Sequence, residues 1–400
     1  MSIIKLEKYI QAAPAEVFLY FTNSTALRDW LCEIATTDPR VGGRIYLWWN
    51  GDYYTSGEFL KLKQNELVSF SWFGRGEPHA TQVDVALKKK KAGTLIKLSH
   101  RKLGKNSKWE EIAKGYKKEW TKGLENLTSV LENGPDLRIT ARPMLGIFTD
   151  QFDAGIAEKL GVPITQGLRL SGVVEGLGAQ KAGLIADDVI TGMDGHEITG
   201  AATFGLYMKD KKAGNKVEVT FYRGTEKKTT TMKLSGRPIP PIPLSGPELS
   251  NQVEPIYKQY ESEIESLLQG ASEAECAKKP APAEWSVNEV LAHLIHSELG
   301  WQNVMTEIMG GNEASYDDWG GNIQARIDGT VAIFTTKAEL FKELKNHDAE
   351  TIDMLSHIPS EFLAHKGKFW KLVFEVNQSP YHLQSHLEQM RSAIQSARVP

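Results

Sequence analysis

His382 and His386 stand four residues apart in the stretch Tyr381-His382-Leu383-Gln384-Ser385-His386-Leu387, and His293 lies upstream in a segment that opens at Trp285-Ser286. On a helix, a spacing of four puts two side chains on one face, one turn apart. Two imidazoles so placed, with a third from a neighbouring helix, can hold a divalent metal and leave one coordination position open. Ten histidines in 400 residues supply an i,i+4 pair by chance about 0.25 times per chain, so the pair needs its helical setting to carry an argument.

Four helical patterns provide that setting: Leu249 to Leu268, Ser286 to Met309, Thr335 to Ile358 and Ser379 to Ala397. Long helices with intervening loops predict an all-α four-helix bundle over residues 248–400. On the last helix Leu383, Leu387, Met390 and Ile394 form the stripe that should be buried, and the two histidines sit on its edge. Seven of the ten histidines fall in this segment: His293, His296, His347, His357, His365, His382 and His386.

The run Trp285-Ser286-Val287-Asn288-Glu289-Val290-Leu291-Ala292-His293-Leu294, followed by His382-x3-His386-Leu387-x-Gln389-Met390-Arg391, resembles the DinB-like superfamily. Those four-helix proteins include metal-dependent transferases that use low-molecular-weight thiols. The resemblance implies that the metal ligands are His293, His382 and His386. It implies Zn²⁺, Ni²⁺ or Fe²⁺ on three neutral imidazoles, with a water or a low-molecular-weight thiol activated as nucleophile at the open position. Glu289, one turn before His293, would orient that ring or accept a proton. His296, one turn after it, would be a fourth ligand or an acid–base group. These two are the catalytic candidates, and the catalytic residue itself stays undefined. A polar cluster that holds no metal is the competing reading of the trio.

The rest of the chain is scaffolding, binding modules and linkers. A length of 400 residues exceeds what one core usually sustains, so a multidomain chain is expected. A net charge of −3 offers no basic field for nucleic acid. No run of 18 apolar residues exists, so no membrane span is expected, and the start Met1-Ser2-Ile3-Ile4-Lys5-Leu6-Glu7-Lys8 is not a secretory signal. Two cysteines, Cys32 and Cys276, exclude a disulfide framework and fit a cytoplasmic location. Two seams divide the chain. Glu132-Asn133-Gly134-Pro135-Asp136 stops a helix, and the Pro-rich residues 237–247 should form an extended, semi-rigid linker.

Residues 1–135 read as an α+β domain. Strand-like runs cover Arg44 to Trp49, Ser56 to Lys63, Glu66 to Phe73, Thr81 to Leu87 and Thr94 to His100, then a long helix carries Trp109, Ala113, Tyr116, Trp120, Leu124, Leu127 and Leu131 on one stripe. Ala13-Pro14-Ala15-Glu16-Val17-Phe18, Val41-Gly42-Gly43, Gly57-Glu58-Phe59-Leu60 and Trp120-x-x-Gly123-Leu124-x-x-Leu127 resemble the START-like (SRPBCC) superfamily. The nearest branch is that of bacterial relatives of the activator of heat-shock protein 90 ATPase. That helix-grip fold implies a cavity for a small apolar ligand, which Trp48, Trp49, Tyr53, Trp72 and Trp120 would line. The competing reading is that these aromatics fill the cavity as core.

Residues 136–236 carry Arg142-Pro143-Met144-Leu145-Gly146-Ile147, Gly167-Leu168-Arg169-Leu170, Gly178-Ala179-Gln180-Lys181-Ala182-Gly183-Leu184 and Asp187-Asp188-Val189-Ile190 in an order that resembles a mostly-β PDZ domain of the bacterial protease type. The resemblance implies capture of a protein C-terminal peptide. Backbone amides at Met144, Leu145, Gly146 and Ile147 would cap its carboxylate, and Phe204, Tyr207 and Met208 would shape the side-chain pocket. One departure is the pair Asp187-Asp188 where the family usually has Gly-Asp. The whole reads either as a metal-dependent transferase or hydrolase with two recruiting modules, or as a non-enzymatic adaptor related to stress or chaperone work. Bundles of this type often pair, so a homodimer is an expectation too.

Overall fold

The computed structural model describes residues 2–50, 53–209, 211–282, 284–310, 323–377 and 379–398. The chain packs as two compact units. One joins Met1–Trp48, Tyr54–Gly134 and Pro240–Pro400, and the other joins Trp49–Tyr53 with Pro135–Ile239.

The first unit opens with a helix-grip domain. Strand β1 (Ser2–Ile10) is followed by α1 (Pro14–Leu19), α2 (Ser24–Arg28), β2 (Ile34–Thr37), β3 (Arg44–Trp49), β4 (Tyr53–Lys63), β5 (Leu67–Gly74), β6 (Thr81–Lys90), β7 (Gly93–Leu103) and α3 (Ser107–Glu132). The seven-stranded sheet runs β1-β7-β6-β5-β4-β3-β2. Helix α3 starts where the Asn106 side chain accepts the Trp109 N–H at 3.1 Å, which satisfies one of the four free amides of the first turn. Its buried residues Trp109, Trp120, Leu124, Leu127, Val130 and Leu131 advance mostly by three and four. Each such large apolar side chain contributes about 1.5–3 kcal/mol on burial.

The second unit holds the mostly-β domain. Its elements are α4 (Leu137–Thr140), β8 (Pro143–Met144), β9 (Ile147–Asp150), α5 (Ala154–Leu160), β10 (Leu168–Val173), α6 (Gly178–Lys181), β11 (Val189–Met193), β12 (His196–Glu197), α7 (Ala201–Met208), β13 (Lys216–Arg223), β14 (Glu226–Lys233) and β15 (Ser235–Gly236). The main sheet runs β14-β13-β11-β10-β9, with β12 on β11, and β15 pairs with β8. Strand β9 therefore ends the sheet, with β10 on one side.

The bundle completes the first unit with α8 (Gly246–Gln269), α9 (Glu273–Ala277), α10 (Val287–Gly310), α11 (Gln324–Ile333), α12 (Lys337–Ser356), α13 (Ser360–Leu363), α14 (Lys366–Val376) and α15 (Ser379–Arg398). Helices α8, α10, α12 and α15 are the four expected from periodicity. Two apolar clusters fill the interior. One contains Ile264, Leu291, Leu294, Leu340, Leu344, Leu387 and Met390. The other contains Val253, Tyr257, Val304, Ile352, Leu355, Phe369 and Val373. On α8, α10 and α12 one acid separates the two clusters: Glu261, Glu298 and Asp348, each 5–9% exposed. Among the described residues, no helix is long and apolar enough to cross a membrane. The three fold classes expected from sequence are those observed.

Candidate metal centre and peptide groove

Helix α10 begins with a reciprocal cap. The Ser286 N–H donates to Glu289 Oε2 at 2.8 Å and the Glu289 N–H donates to Ser286 Oγ at 3.2 Å. This anchors the helix one turn before His293, which is 1% exposed. Helix α15 presents His382 and His386 from the other side, both half-buried, while Leu387, Met390 and Ile394 hold that helix in the core.

The three rings converge on their Nε2 atoms. His293 Nε2 lies 3.3 Å from His382 Nε2, and His386 Nε2 lies 3.0 Å from His382 Nε2. Ring centroids of His293 and His386 are 4.6 Å apart. Three imidazoles on one face of a tetrahedron, at metal–nitrogen distances of 2.0–2.1 Å, would hold their nitrogens about 3.4 Å apart. The donor set fits a cation for a second reason. His386 Nδ1 lies 2.8 Å from Gln389 Oε1, an acceptor, so Nδ1 carries the proton and Nε2 presents a lone pair. His382 has a single Nε2 position facing two neighbours, and one proton there can serve only one of them. A cation serves all three lone pairs. Burial, then the neighbouring His382 and His293, push the His386 pKa down to about 3, so the ring is neutral and ready to ligate. Among the described residues, this trio is the cluster of histidines, cysteines and acids whose ligand atoms all lie within 4.8 Å of one another.

The two catalytic candidates are placed beside the trio. Glu289 is 5% exposed. Besides Ser286, its carboxylate takes the Lys279 ammonium at 2.6 Å and the Gln324 amide at 2.8 Å. Burial would raise its pKa, but these partners outweigh burial and hold it below the ordinary value. Gln324 also accepts the Trp285 indole N–H at 3.1 Å, and the Trp285 ring lies 4.9 Å from that of His293. A chain of contacts thus runs from Glu289 through Gln324 and Trp285 to the His293 ring. His296 Nε2 lies 2.7 Å from Thr330 Oγ1, whose own proton goes to the Arg326 carbonyl. Burial and Arg326 push its pKa down to about 4. Sequence reading missed Gln389, Trp285 and Gln324 as partners of the trio. Gln389 was findable, because it stands at i+3 from His386.

In the mostly-β domain, Leu145 is buried in the core and Gly146 adopts φ +79°, a left-handed conformation suited to glycine. A Cβ at Gly146 would collide with Leu177. Met144 pairs with Ser235, and Ile147 opens the terminal strand β9. Phe204, Tyr207 and Met208 all pack against the domain core. Tyr207 also donates its hydroxyl to Asp194 Oδ2 at 2.6 Å, where Lys211 Nζ adds a contact at 2.9 Å. These two hold the Asp194 carboxyl at about 2. At the departure from the family pattern, Asp187 takes φ +66° and pairs with Arg169 at 2.7 Å. Asp188 is fully buried and takes Arg223 through both oxygens at 2.7 and 2.8 Å.

In the helix-grip domain, Trp72 and Trp120 are buried and their rings lie 5.5 Å apart. Trp72 donates its indole N–H to the Tyr116 hydroxyl at 2.9 Å, and Trp120 donates to His100 Nδ1 at 3.3 Å. Burial pushes the His100 pKa down to about 3. Trp49 and Tyr53 meet at 5.5 Å, and both are half-buried, as is Trp48.

Comparison with known proteins assigns each segment. Residues 11–132 match the family model described as activator of Hsp90 ATPase homolog 1-like protein, residues 143–234 match the PDZ domain, and residues 256–390 match the DinB superfamily. A probable periplasmic serine protease do/HhoA-like from Haemophilus influenzae is 33% identical over 93 residues, which cover 23% of this chain and 20% of that protein. The serine protease Do-like HtrA of Bacillus subtilis is 33% identical over 101 residues, covering 23% and 22%. The chain thus spans about a fifth of the length of these curated relatives. The solution structure of the Aha1 dimer from Colwellia psychrerythraea is 20% identical, covers 34% of this chain and 98% of that one, and has a TM-score of 0.31. The chain therefore carries three modules in order: an Hsp90-activator-like helix-grip domain, a PDZ domain and a DinB-type bundle.

Proposed function

We propose that the bundle is a three-histidine metal centre in a metal-dependent transferase or hydrolase of the DinB type, acting in the cytoplasm. The observation that carries this reading is the convergence of three Nε2 atoms, with His386 protonated on the nitrogen that faces Gln389. Zinc, nickel or iron held there supplies a Lewis-acidic position that lowers the pKa of a water or a low-molecular-weight thiol. The chain's own residues do the rest. His293, His382 and His386 offer neutral nitrogens, Gln389 fixes one tautomer, and Trp285 covers one side of His293. His296 stays neutral near pH 7, because burial holds its pKa at about 4, which leaves it a weak base.

The test is metal content. The purified full chain should hold about one equivalent of a divalent ion, and His382→Ala should lose it. If the wild-type chain neither holds nor takes up stoichiometric metal, the reading fails. With metal bound, turnover of an electrophile with glutathione or bacillithiol decides between transferase and passive site.

A second reading concerns the PDZ module, and its support is the terminal position of β9 beside Gly146. An extended peptide can add to that edge, with its terminal carboxylate at the 144–147 loop and its last side chain near Phe204, Tyr207 and Met208. Peptides with a free C-terminus should bind at least tenfold tighter than amidated ones. Equal binding would rule out carboxylate capture. Under this reading the chain is an adaptor, and the helix-grip domain contributes a site for a small apolar ligand.

A further inference from the structure

Helix α14 carries two buried rows. Phe369, Leu372, Val373 and Val376 recur at i, i+3, i+4 and i+7 and belong to the bundle core. Gly367, Trp370 and Phe374 recur at i, i+3 and i+7 on another face and are buried as well, with Lys371 in the same row. Gly367, Trp370 and Lys371 of that row meet the helix-grip domain. A Cβ on Gly367 would lie 2.5 Å from Val130 Cγ1 of α3 and 3.2 Å from the Val130 carbonyl oxygen. A Cβ on Gly134, just past α3, would lie 2.9 Å from both the Lys366 carbonyl oxygen and Trp370 Cβ. Glycine therefore stands on each side where a Cβ would strike the facing element. Polar contacts frame the row. Lys366 Nζ donates to the Glu132 carbonyl at 2.5 Å, at the end of α3 where a cation is favoured. Lys371 Nζ lies 3.6 Å from Asp29, whose side chain is 6% exposed. Burial raises the Glu16 pKa, and His365 partly offsets it.

We propose that α14 is a docking helix for the chain's own helix-grip domain, and that the grip domain and the bundle open and unfold as one body. Without the grip domain, Gly367 and Trp370 would face water. Without α14, Asp29 and Val130 would lose their cover. Net charge agrees, since residues 1–135 are net basic and residues 245–400 net acidic.

Two glycines make a test whose sign discriminates. Gly115 lies in α3 with nothing within 4 Å of its Cβ position, whereas Gly367 faces Val130. Helix propensity alone favours alanine at both. In the full chain, Gly115→Ala should raise the melting temperature and Gly367→Ala should lower it. Native-state hydrogen exchange on the wild type needs no variant. Amides in the last turns of α3 and in α15 should share one opening free energy, and in Gly367→Ala both should lose protection by tenfold or more. If Gly367→Ala stabilises as Gly115→Ala does, or if the two sets of wild-type amides open independently, the docking role is overturned. Neither measurement needs a metal, so it can fail or succeed apart from the reading of the histidines.

Discussion

The histidine trio shows how a small set of neighbours fixes the tautomer of a common residue. His386 is tuned by Gln389, which accepts the Nδ1 proton and aims the Nε2 lone pair at its partners. Gln389→Leu removes that acceptor and should weaken metal affinity by about 10–100-fold, read by competition with a chelator. Gln389→Glu keeps an acceptor and should restore most of it. The pair His382 and His386 was legible from a spacing of four, and His293 joined it only through the resemblance to DinB-like proteins. Trp285 and Gln324 were not, because the contact that joins them spans 39 residues. The Asp187-Asp188 pair was legible only as an oddity at a turn. The structure gives each acid separate work, and Asp188 is the costly one. Arg223→Leu would leave a fully buried carboxylate facing only the Ile185 amide. The expected loss is about 3–5 kcal/mol of PDZ-domain stability, measured by denaturant unfolding of the full chain.

At the scale of elements, the bundle carries a polar layer between two apolar ones. Glu298 accepts from the Tyr257 hydroxyl at 2.9 Å, and Lys258 reaches Glu261 at 3.0 Å. His347, Thr351 and Gln302 complete the surroundings. Burial, then Glu298 and Glu261, push the Asp348 pKa up to about 9, and burial raises that of Glu298. A folded-state pKa above the unfolded one means that the folded chain binds more protons. That stability is fully present below about pH 4, where the unfolded carboxyl titrates, and is lost as pH rises toward 9. The melting temperature of the unit that holds the bundle should therefore fall between pH 5 and pH 8. Asp348→Asn should flatten that slope and raise the value at pH 8, with each 1 kcal/mol worth roughly 2–4 °C. An unchanged slope would mean that the acid is ionised in the fold.

Legibility varied among elements for physical reasons. Helices α8, α12 and α15 were readable because each has one buried stripe, whereas α10, buried on every face from Val287 to Ile295, was readable as a long helical run. Helix α14 was not, because its apolar residues Phe369, Trp370, Leu372, Val373, Phe374 and Val376 cover two faces and leave no clean period. Strand β1 was passed over although it alternates. Ile4 and Ile10 are buried while Ile3 and Tyr9 are exposed, and the strand pairs with β7 from Ser2 to Ile10.

At the scale of the whole molecule, three modules are arranged in sequence as grip domain, PDZ domain and bundle, yet the first and last belong to one compact unit. That order has a consequence for synthesis. Glu132 and Lys366 are 234 residues apart. At about 5–20 residues per second, roughly ten to fifty seconds pass between the emergence of the two. During that interval the grip domain is complete in sequence but lacks its cover over Val130 and Asp29. Until the last third has been made, that face of the nascent grip domain stays open to water.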